Sequence, residues 1–179
     1  MSKITIKHIA VSAICIALAT VLSMLKLLEM PFGGSVTLFS MFFMCLPGML
    51  FGWQIGIISG IAYGVLQFIL GPYVVSPIQV VVDYIFAFGA LGLSGIISFN
   101  KKRLALGYLI GITGRFIFAV ISGVVFFAQY APEGMNPLVY SAVYNGSYIY
   151  AEGIVTAIIL LIPAVQMALE RIVNSVNKA

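Results

Sequence analysis

Three ionisable side chains lie within long apolar stretches of the sequence: Asp83, Arg115 and Glu152. A charge in the hydrocarbon region of a bilayer costs about 2.5–3.5 kcal/mol on insertion scales, so such a residue usually has a partner and a function. One interpretation is an Asp83–Arg115 ion pair that only stabilises a helix bundle. The other is a polar cavity open to the outside, because all three residues are expected in the outer half of the membrane.

The neighbours of Asp83 favour the cavity. Gln79 precedes Asp83 by four residues and would share its helix face, and Tyr84 follows it directly. The stretch 128–147 is rich in Tyr and Asn residues, which offer flat faces and hydrogen bonds. Tyr is also common at any membrane interface. Aromatic faces near a buried carboxylate nevertheless form a good site for a planar organic cation.

Other kinds of chemistry have little support in the sequence. A membrane enzyme would need clustered catalytic carboxylates or His residues, and the sequence has no such cluster, metal-ligand set, Gly-rich phosphate loop or nucleophile elbow. We therefore expect no enzyme, no metal site and no cofactor. Cys15 and Cys45 both fall in apolar stretches and are interpreted as core residues.

The elements that must position these residues are membrane helices. The 179 residues are 62% hydrophobic and 8% charged, whereas a soluble domain is about 45–50% apolar and about 25% charged. Because a span needs about 20 apolar residues, we predict an all-α, integral membrane six-transmembrane-helix bundle that forms a single membrane domain over 1–179. The predicted helices are Ile9–Leu28, Val36–Phe51, Ile55–Leu70, Pro77–Ser98, Leu104–Phe127 and Tyr148–Leu169, with kinks at Pro47 and Pro163.

Lys and Arg residues set the predicted orientation. Seven of the nine lie in the N-terminal segment, the 100–103 loop and the C-terminal segment, so both termini of this multi-pass protein are predicted to be cytoplasmic. These positions are those that membrane topology requires, and they do not indicate a nucleic-acid partner. Small residues at four-residue spacing predict close helix packing: Gly56, Gly60 and Gly64, Gly107 and Gly111, and Ala13 and Ala17.

Three stretches of the sequence resemble a known family. They are 30–36 (Met-Pro-Phe-Gly-Gly-Ser-Val), 71–84 (from Gly-Pro-Tyr-Val-Val to Asp-Tyr), and 122–146 (from Ser-Gly-Val-Val-Phe-Phe-Ala-Gln-Tyr-Ala-Pro to Asn-Gly). Together with the length and the six-helix topology, they are similar to the thiamine-binding membrane subunits of energy-coupling factor (ECF) transporters, the ThiT/YuaJ family. The resemblance covers nearly the whole chain.

The resemblance implies a bacterial vitamin-capture subunit, or ECF S component, in the cell membrane that binds thiamine at an extracellular-facing pocket. It also implies three protein partners, which are a transmembrane coupling protein and two cytoplasmic ATPase subunits. In that family small Ala residues of helix 1 face the coupling protein, a role that Ala10, Ala13 and Ala17 match. The chain itself would hydrolyse nothing.

The resemblance also implies roles for individual residues. Asp83, followed by Tyr84, would face the thiazolium cation or the aminopyrimidine of thiamine, and Arg115 would hold the carboxylate in place. Tyr140 and Asn145 would donate or accept hydrogen bonds at the pyrimidine. Tyr73, Gln129 and Phe127 fall where the family lines its pocket, and Gln79 completes the predicted substrate-binding set.

Four positions depart from the family pattern. A His beside the ligand ring corresponds to Ala119, a stacking Trp to Phe127, a second Trp to Pro132, and an acidic residue early in helix 2 to Phe39. The loss of one stacking ring costs about 0.5–1.5 kcal/mol. These departures leave two readings of the ligand open, which are weaker binding of thiamine or binding of another small heterocycle, such as a thiamine precursor or a different vitamin.

Overall fold

The computed structural model describes residues 4–97 and 99–178, except for the side chains of residues 101, 177 and 178. Lys3, Ser98 and the two ends of the predicted domain 1–179 lie outside these residues. The elements are α1 (Ile6–Ser23), β1 (Lys26–Glu29), β2 (Ser35–Thr37), α2 (Ser40–Phe51), α3 (Trp53–Leu70), α4 (Pro77–Ile96), α5 (Leu104–Phe126), α6 (Pro137–Leu160) and α7 (Pro163–Lys178).

The predicted membrane fold is confirmed. Within the described residues, α1, α3, α4 and α5 are long and apolar enough to cross a bilayer. The helices α6 and α7 form a fifth candidate, a pair bent by 85°, and α2 is a shorter apolar helix. These segments agree in outline with the predicted bundle of six membrane helices.

Glycines bring the central helices into close contact. A Cβ atom at Gly64 of α3 would lie 1.6 Å from the carbonyl oxygen of Tyr84, and one at Gly56 would lie 2.6 Å from the Cα atom of Gly48. A Cβ at Gly111 of α5 would lie 2.7 Å from a carbonyl oxygen of α4. Only glycine allows these approaches, and close backbone packing is a main source of helix association in lipid.

The helix α4 is irregular where it passes the middle of the bundle. It is α-helical over Pro77–Val80, π-helical over Val81–Phe86 and 3-10 helical over Ala90–Ile96. A π-helical turn holds more residues than an α-helical one and often occurs at a functional site. In this chain the π-helical segment carries Asp83 and Tyr84.

The first two predicted helices are too long at their facing ends. The predicted helix Ile9–Leu28 ends at Ser23, and the predicted start at Val36 is wrong because β2 occupies Ser35–Thr37. β1 and β2 pair antiparallel across a turn in which Phe32 and Gly33 both have positive φ. A helix cannot continue through such a turn, so a small hairpin joins the otherwise helical elements.

The predicted sixth helix, Tyr148–Leu169, is wrong at both ends. The helix α6 begins eleven residues earlier at Pro137, where the Asn136 side chain accepts a hydrogen bond from the backbone N–H of Leu138. Pro163 does not kink a single helix; it begins α7, because proline has no N–H for the preceding turn. Glu152 consequently lies 15 residues, or about 22 Å, along α6 rather than near its outer end.

Candidate ligand-binding cavity

A cavity of about 410 Å³ lies among α2–α6, the end of α1 and the β1–β2 hairpin. Its volume is within the range of about 300–1,000 Å³ that small-molecule sites occupy. The hairpin and the connection at Gly71–Tyr73 line one end of it. Eight of the nine predicted substrate-binding residues line this cavity: Tyr73, Gln79, Asp83, Tyr84, Arg115, Phe127, Tyr140 and Asn145.

The ninth predicted residue, Gln129, does not line the cavity. It lies in a short 3-10 turn, Ala128–Tyr130, that follows α5. The neighbouring Tyr130 packs its ring against Phe32 of the hairpin turn, with ring centroids 4.3 Å apart. This segment therefore contacts the hairpin rather than the cavity itself.

Gln79 holds the Asp83 carboxylate in place. Its Nε2 donates to Asp83 Oδ2 at 2.6 Å and to the carbonyl oxygen of Tyr73 at 3.2 Å, while its Oε1 accepts from the backbone N–H of Val75 at 3.0 Å. These bonds engage both the amide nitrogen and the amide oxygen of Gln79, which is only 1% exposed. These hydrogen bonds hold the N-terminal end of α4 against the preceding loop and orient the carboxylate of Asp83.

Tyr84 lines the cavity and also stabilises its wall. Its hydroxyl oxygen accepts a hydrogen bond from the backbone N–H of Tyr73 at 2.9 Å. The hydroxyl hydrogen is not used by that bond, so Tyr84 retains a donor. The connection between α3 and α4 is thus tied to α4 at both Gln79 and Tyr84.

Arg115 does not form the ion pair that one interpretation of the sequence proposes. Asp83 and Arg115 both line the cavity, but no salt bridge joins them in the described part of the chain. The Arg115 guanidinium instead lies over the ring of Phe88, with Cζ 4.5 Å from the ring centroid. A cation over an aromatic face is held by the ring quadrupole.

Glu152 is a cavity residue to which the predicted substrate-binding set assigned no role. It is 5% exposed, and its Oε2 accepts from the Thr37 hydroxyl at 2.6 Å while its Oε1 accepts from the backbone N–H of Met41 at 3.1 Å. The second bond caps the N-terminus of α2 from a different helix, where a negative charge is favourable. Glu152 therefore links α6 to the junction between β2 and α2.

Asn145 joins α5 to α6 beside the cavity. Its Nδ2 donates to the carbonyl oxygens of Ser141 at 2.9 Å and Ala119 at 3.3 Å. Its Oδ1 accepts from the Tyr148 hydroxyl at 2.8 Å. Both polar atoms of Asn145 are thus engaged by the chain, and Asn145 positions Tyr148.

Aromatic rings form much of the remaining wall. Tyr73 and Phe127 stack with centroids 6.0 Å apart and an angle of 25° between their planes. The hydroxyl of Tyr144 accepts from the backbone N–H of Gly34 at 3.1 Å and donates to the carbonyl oxygen of Pro31. Tyr144 thereby holds the hairpin turn against α6.

One helix face of α6 supplies four of the cavity residues. Tyr140, Tyr144, Tyr148 and Glu152 follow one another at four-residue spacing and all line the cavity, as residues on one face of an α-helix do. This regular spacing is a signal in the sequence that could have identified Tyr144, Tyr148 and Glu152 as cavity residues.

The charges of the cavity favour a cation. Asp83 and Glu152 carry a formal charge of −2 and Arg115 a charge of +1, and Lys26, which also lines the cavity, is paired with Glu29. A low-polarity wall strengthens the attraction between such a site and a ligand charge. Within the described part of the chain, no group of three or more His, Cys, Asp or Glu residues could hold a metal ion.

The predicted partner residues lie away from the cavity. Ala10, Ala13 and Ala17 are exposed on the outer face of α1, and the opposite face, at Ser12, Cys15 and Ala19, is buried. The exposed face, with the three alanines, can contact lipid or another membrane helix.

A membrane helix bundle with a partly enclosed cavity of opposed charges and aromatic rings is a solute-binding membrane protein. The model of one family, described as thiamine transporter protein (Thia_YuaJ), matches residues 9–171. The chain therefore belongs to the Thia_YuaJ family.

Individual proteins similar to this chain carry the same family name. Thiamine transporter ThiT of Bacillus subtilis (strain 168) is 33% identical over 168 residues, which cover 83% of this chain and 85% of the relative. ThiT of Lacticaseibacillus paracasei is 34% identical over 119 residues, which cover 57% of this chain and 59% of that protein. A solved structure of ThiT from Listeria monocytogenes superposes with a TM-score of 0.71 at 26% identity, covering 86% of this chain and 92% of that one.

Proposed function

We propose that this chain captures thiamine in the cavity as the membrane subunit of an ECF-type vitamin importer. The observation that carries the proposal is the presence of two carboxylates, Asp83 and Glu152, and one guanidinium, Arg115, in an aromatic cavity of about 410 Å³. Thiamine joins two flat aromatic rings through a methylene bridge, and its thiazolium ring carries a permanent positive charge. Aromatic faces and a net negative wall are the features that recognise such a cation.

Asp83 and Glu152 act at different depths of the cavity. Asp83 lies six residues into α4, or about 9 Å along its axis, whereas Glu152 lies about 22 Å along α6. Thiamine has two rings that one carboxylate cannot reach equally. We assign the thiazolium to Asp83, with Tyr73 and Phe127 nearby, and the aminopyrimidine to the deeper region of Tyr148 and Glu152.

Two of the predicted substrate-binding residues act indirectly. The polar atoms of Gln79 and Asn145 are engaged by hydrogen bonds within the chain. Gln79 would position Asp83, and Asn145 would position Tyr148. Tyr84, Tyr140 and Arg115 remain available for direct contact with the ligand.

The cavity opens to the outside if the connections that line its end are extracellular. These connections, at the β1–β2 hairpin and Gly71–Tyr73, lie on the side opposite the basic segments at 100–103 and the C-terminus, which the positive-inside rule assigns to the cytoplasm. Both termini are then cytoplasmic. The chain captures substrate and catalyses no reaction; a transmembrane coupling protein, contacting Ala10, Ala13 and Ala17, and two cytoplasmic ATPase subunits supply the energy.

A second candidate function is capture of a different small heterocycle, such as a thiamine precursor or another vitamin. The observation that favours it is Ala119, which lines the cavity with a methyl group in place of a ring that could donate a hydrogen bond. A smaller or less polar ligand would tolerate this substitution better than thiamine.

Calorimetry on the purified protein separates the two functions. The panel comprises thiamine, its separate pyrimidine and thiazole halves, and other vitamins. We expect thiamine to bind at sub-micromolar concentration and more tightly than any other member. If thiamine gives no heat while another compound does, the second function is correct.

A further inference from the structure

The helix α7 has no role in the proposed capture of thiamine, yet its position is unusual. It follows α6 after a break at residues 161–162 and turns by 85°. It contacts the basic 3-10 turn Lys101–Arg103, and Glu170 and Asn174 of α7 line a cleft with Phe99, Asn100 and Lys102. The helix therefore lies against the end of the bundle opposite the ligand cavity.

The bilayer does not require α7 as part of a span. The 24 residues of α6 extend over about 36 Å, which exceeds the hydrocarbon thickness of about 30 Å. Side chains such as Val143, Ile154 and Ile158 give α6 an exposed apolar face. A helix that leaves α6 at 85° near the end of a complete span runs close to the plane of the membrane.

The distribution of apolar and polar residues around α7 is that of a helix lying in the membrane plane. One side carries Val165, Leu169 and Val173, which face the rest of the protein. The adjacent part of the apolar face, formed by Ala164, Ala168 and Ile172 at four-residue spacing, is exposed, and Ile172 is 53% exposed. Polar residues, including the exposed Asn174, occupy most of the opposite side, where Met167 is also exposed. An amphipathic helix of this kind lies at an interface with its apolar face in the acyl boundary.

Exposed basic residues lie on α7 and on the turn that it contacts. Arg171 lies beside Ala168 on the helix surface and is exposed, as are Lys102 and Arg103 of the turn that α7 contacts. Long basic side chains extend from an apolar surface toward charged headgroups. Clusters of such residues next to a membrane helix attract anionic lipids.

We propose that α7 lies in the membrane plane and binds the anionic phospholipid headgroups of its leaflet. Ala164, Ala168 and Ile172 enter the acyl boundary, and Arg171, which lies beside them, contacts lipid phosphates. The surface formed by α7 and this turn fixes the depth of the bundle in the bilayer.

Spin labels on the full chain test the depth of α7. Labels are introduced singly by Ala168→Cys, Ile172→Cys and Asn174→Cys, in a background in which Cys15→Ala and Cys45→Ala remove the native thiols and which elutes as a monodisperse species. The reference label is Ile158→Cys, on the exposed face of α6. In phosphatidylcholine–phosphatidylglycerol nanodiscs, collisions with oxygen report the acyl region and collisions with a nickel chelate report water.

We expect the labels at 168 and 172 to favour oxygen, as the label at 158 does, and the label at 174 to favour the nickel chelate. If the labels at 168 and 172 collide with the chelate as often as the label at 174, α7 lies in water and the proposal is wrong. Protection of 168 and 172 from both reagents would also overturn it, because a protein surface would then cover the face.

A lipid competition tests the charges separately. Native mass spectrometry of the protein with equal phosphatidylglycerol and phosphatidylcholine should detect preferential retention of the anionic lipid. Arg171→Gln should reduce this preference about fivefold, whereas Arg171→Lys should retain it. Equal retention of both lipids by the unmodified protein would refute the anionic-lipid assignment.

Discussion

Asp83→Asn removes one charge from the cavity while it preserves the shape of the side chain. In the structure Gln79 Nε2 donates to Asp83 Oδ2 at 2.6 Å, and an amide oxygen at position 83 can accept the same hydrogen bond. We therefore expect the variant to fold. The formal charge of Asp83, Arg115 and Glu152 together rises from −1 to zero, so the cavity loses its net attraction for a cation.

The size of the effect follows from the distance at which the charges meet. A thiazolium about 5 Å from the carboxylate interacts with it by about 3.3 kcal/mol at an effective dielectric constant of about 20. Mobile ions screen part of this energy because the cavity is open to solution. A residual difference of about 1.5–3 kcal/mol corresponds to an affinity about 10- to 150-fold weaker.

Calorimetric titration of purified Asp83→Asn with thiamine measures this loss. The matched control is Glu133→Gln, because Glu133 is an exposed carboxylate that does not line the cavity, and thiamine affinity should stay within twofold. The pyrimidine half of thiamine lacks the thiazolium charge, so its affinity should fall less than threefold in Asp83→Asn. A change in thiamine affinity of less than twofold, or an equal loss of affinity for both ligands, would show that Asp83 does not attract the thiazolium charge.

Four further variants test other parts of the account. Glu152→Gln should weaken thiamine binding about tenfold in the same titration; an unchanged affinity would remove Glu152 from the site. Phe127→Ala removes the ring stacked on Tyr73 and should weaken binding by about 0.5–1.5 kcal/mol, unless that ring never contacts the ligand. Ala13→Trp should leave thiamine affinity intact and abolish co-purification with the coupling protein, and retained co-purification would contradict that contact. Gly64→Ala should destabilise the fold by about 1–3 kcal/mol in thermal unfolding. Gly71→Ala is the control and should not, because a Cβ at Gly71 has no neighbour within 4 Å. Equal melting temperatures of the two variants would contradict the close packing of Gly64 against Tyr84.

The charged residues of the cavity can be identified from the sequence because ionisable residues are rare in membrane-spanning stretches. Asp83, Arg115 and Glu152 each interrupt an apolar stretch, and all three line one cavity. Sequence alone cannot tell whether Asp83 and Arg115 pair, because the competing contact with Phe88 depends on how α4 and α5 are packed. That contact decides the geometry of the guanidinium.

The start of α6 is not predicted correctly because the mean hydropathy of the segment before Tyr148 is low. Tyr140, Tyr144 and Asn145 make residues 137–147 polar enough to resemble a loop, yet these side chains face the cavity rather than lipid. A polar helix face inside a bundle lowers the mean hydropathy of a true membrane helix. Periodicity, which persists in such a helix, is the better signal.

The hairpin is missed for a different reason. Residues 26–37 contain a short apolar run at Leu27-Leu28 and another at Val36, and such short runs are compatible with either a helix or a strand. The pairing of β1 with β2 depends on the turn between them and on contacts such as that of Tyr144 with Gly34. Those contacts join residues 110 positions apart, so local sequence does not contain them.

Native mass spectrometry of the purified protein, incubated with an equimolar mixture of thiamine and other vitamins, shows which ligand the cavity binds. We expect one added mass, that of a single thiamine cation, and its loss in Asp83→Asn. Retention of a different vitamin, or of none, would contradict the assignment of the cavity to thiamine.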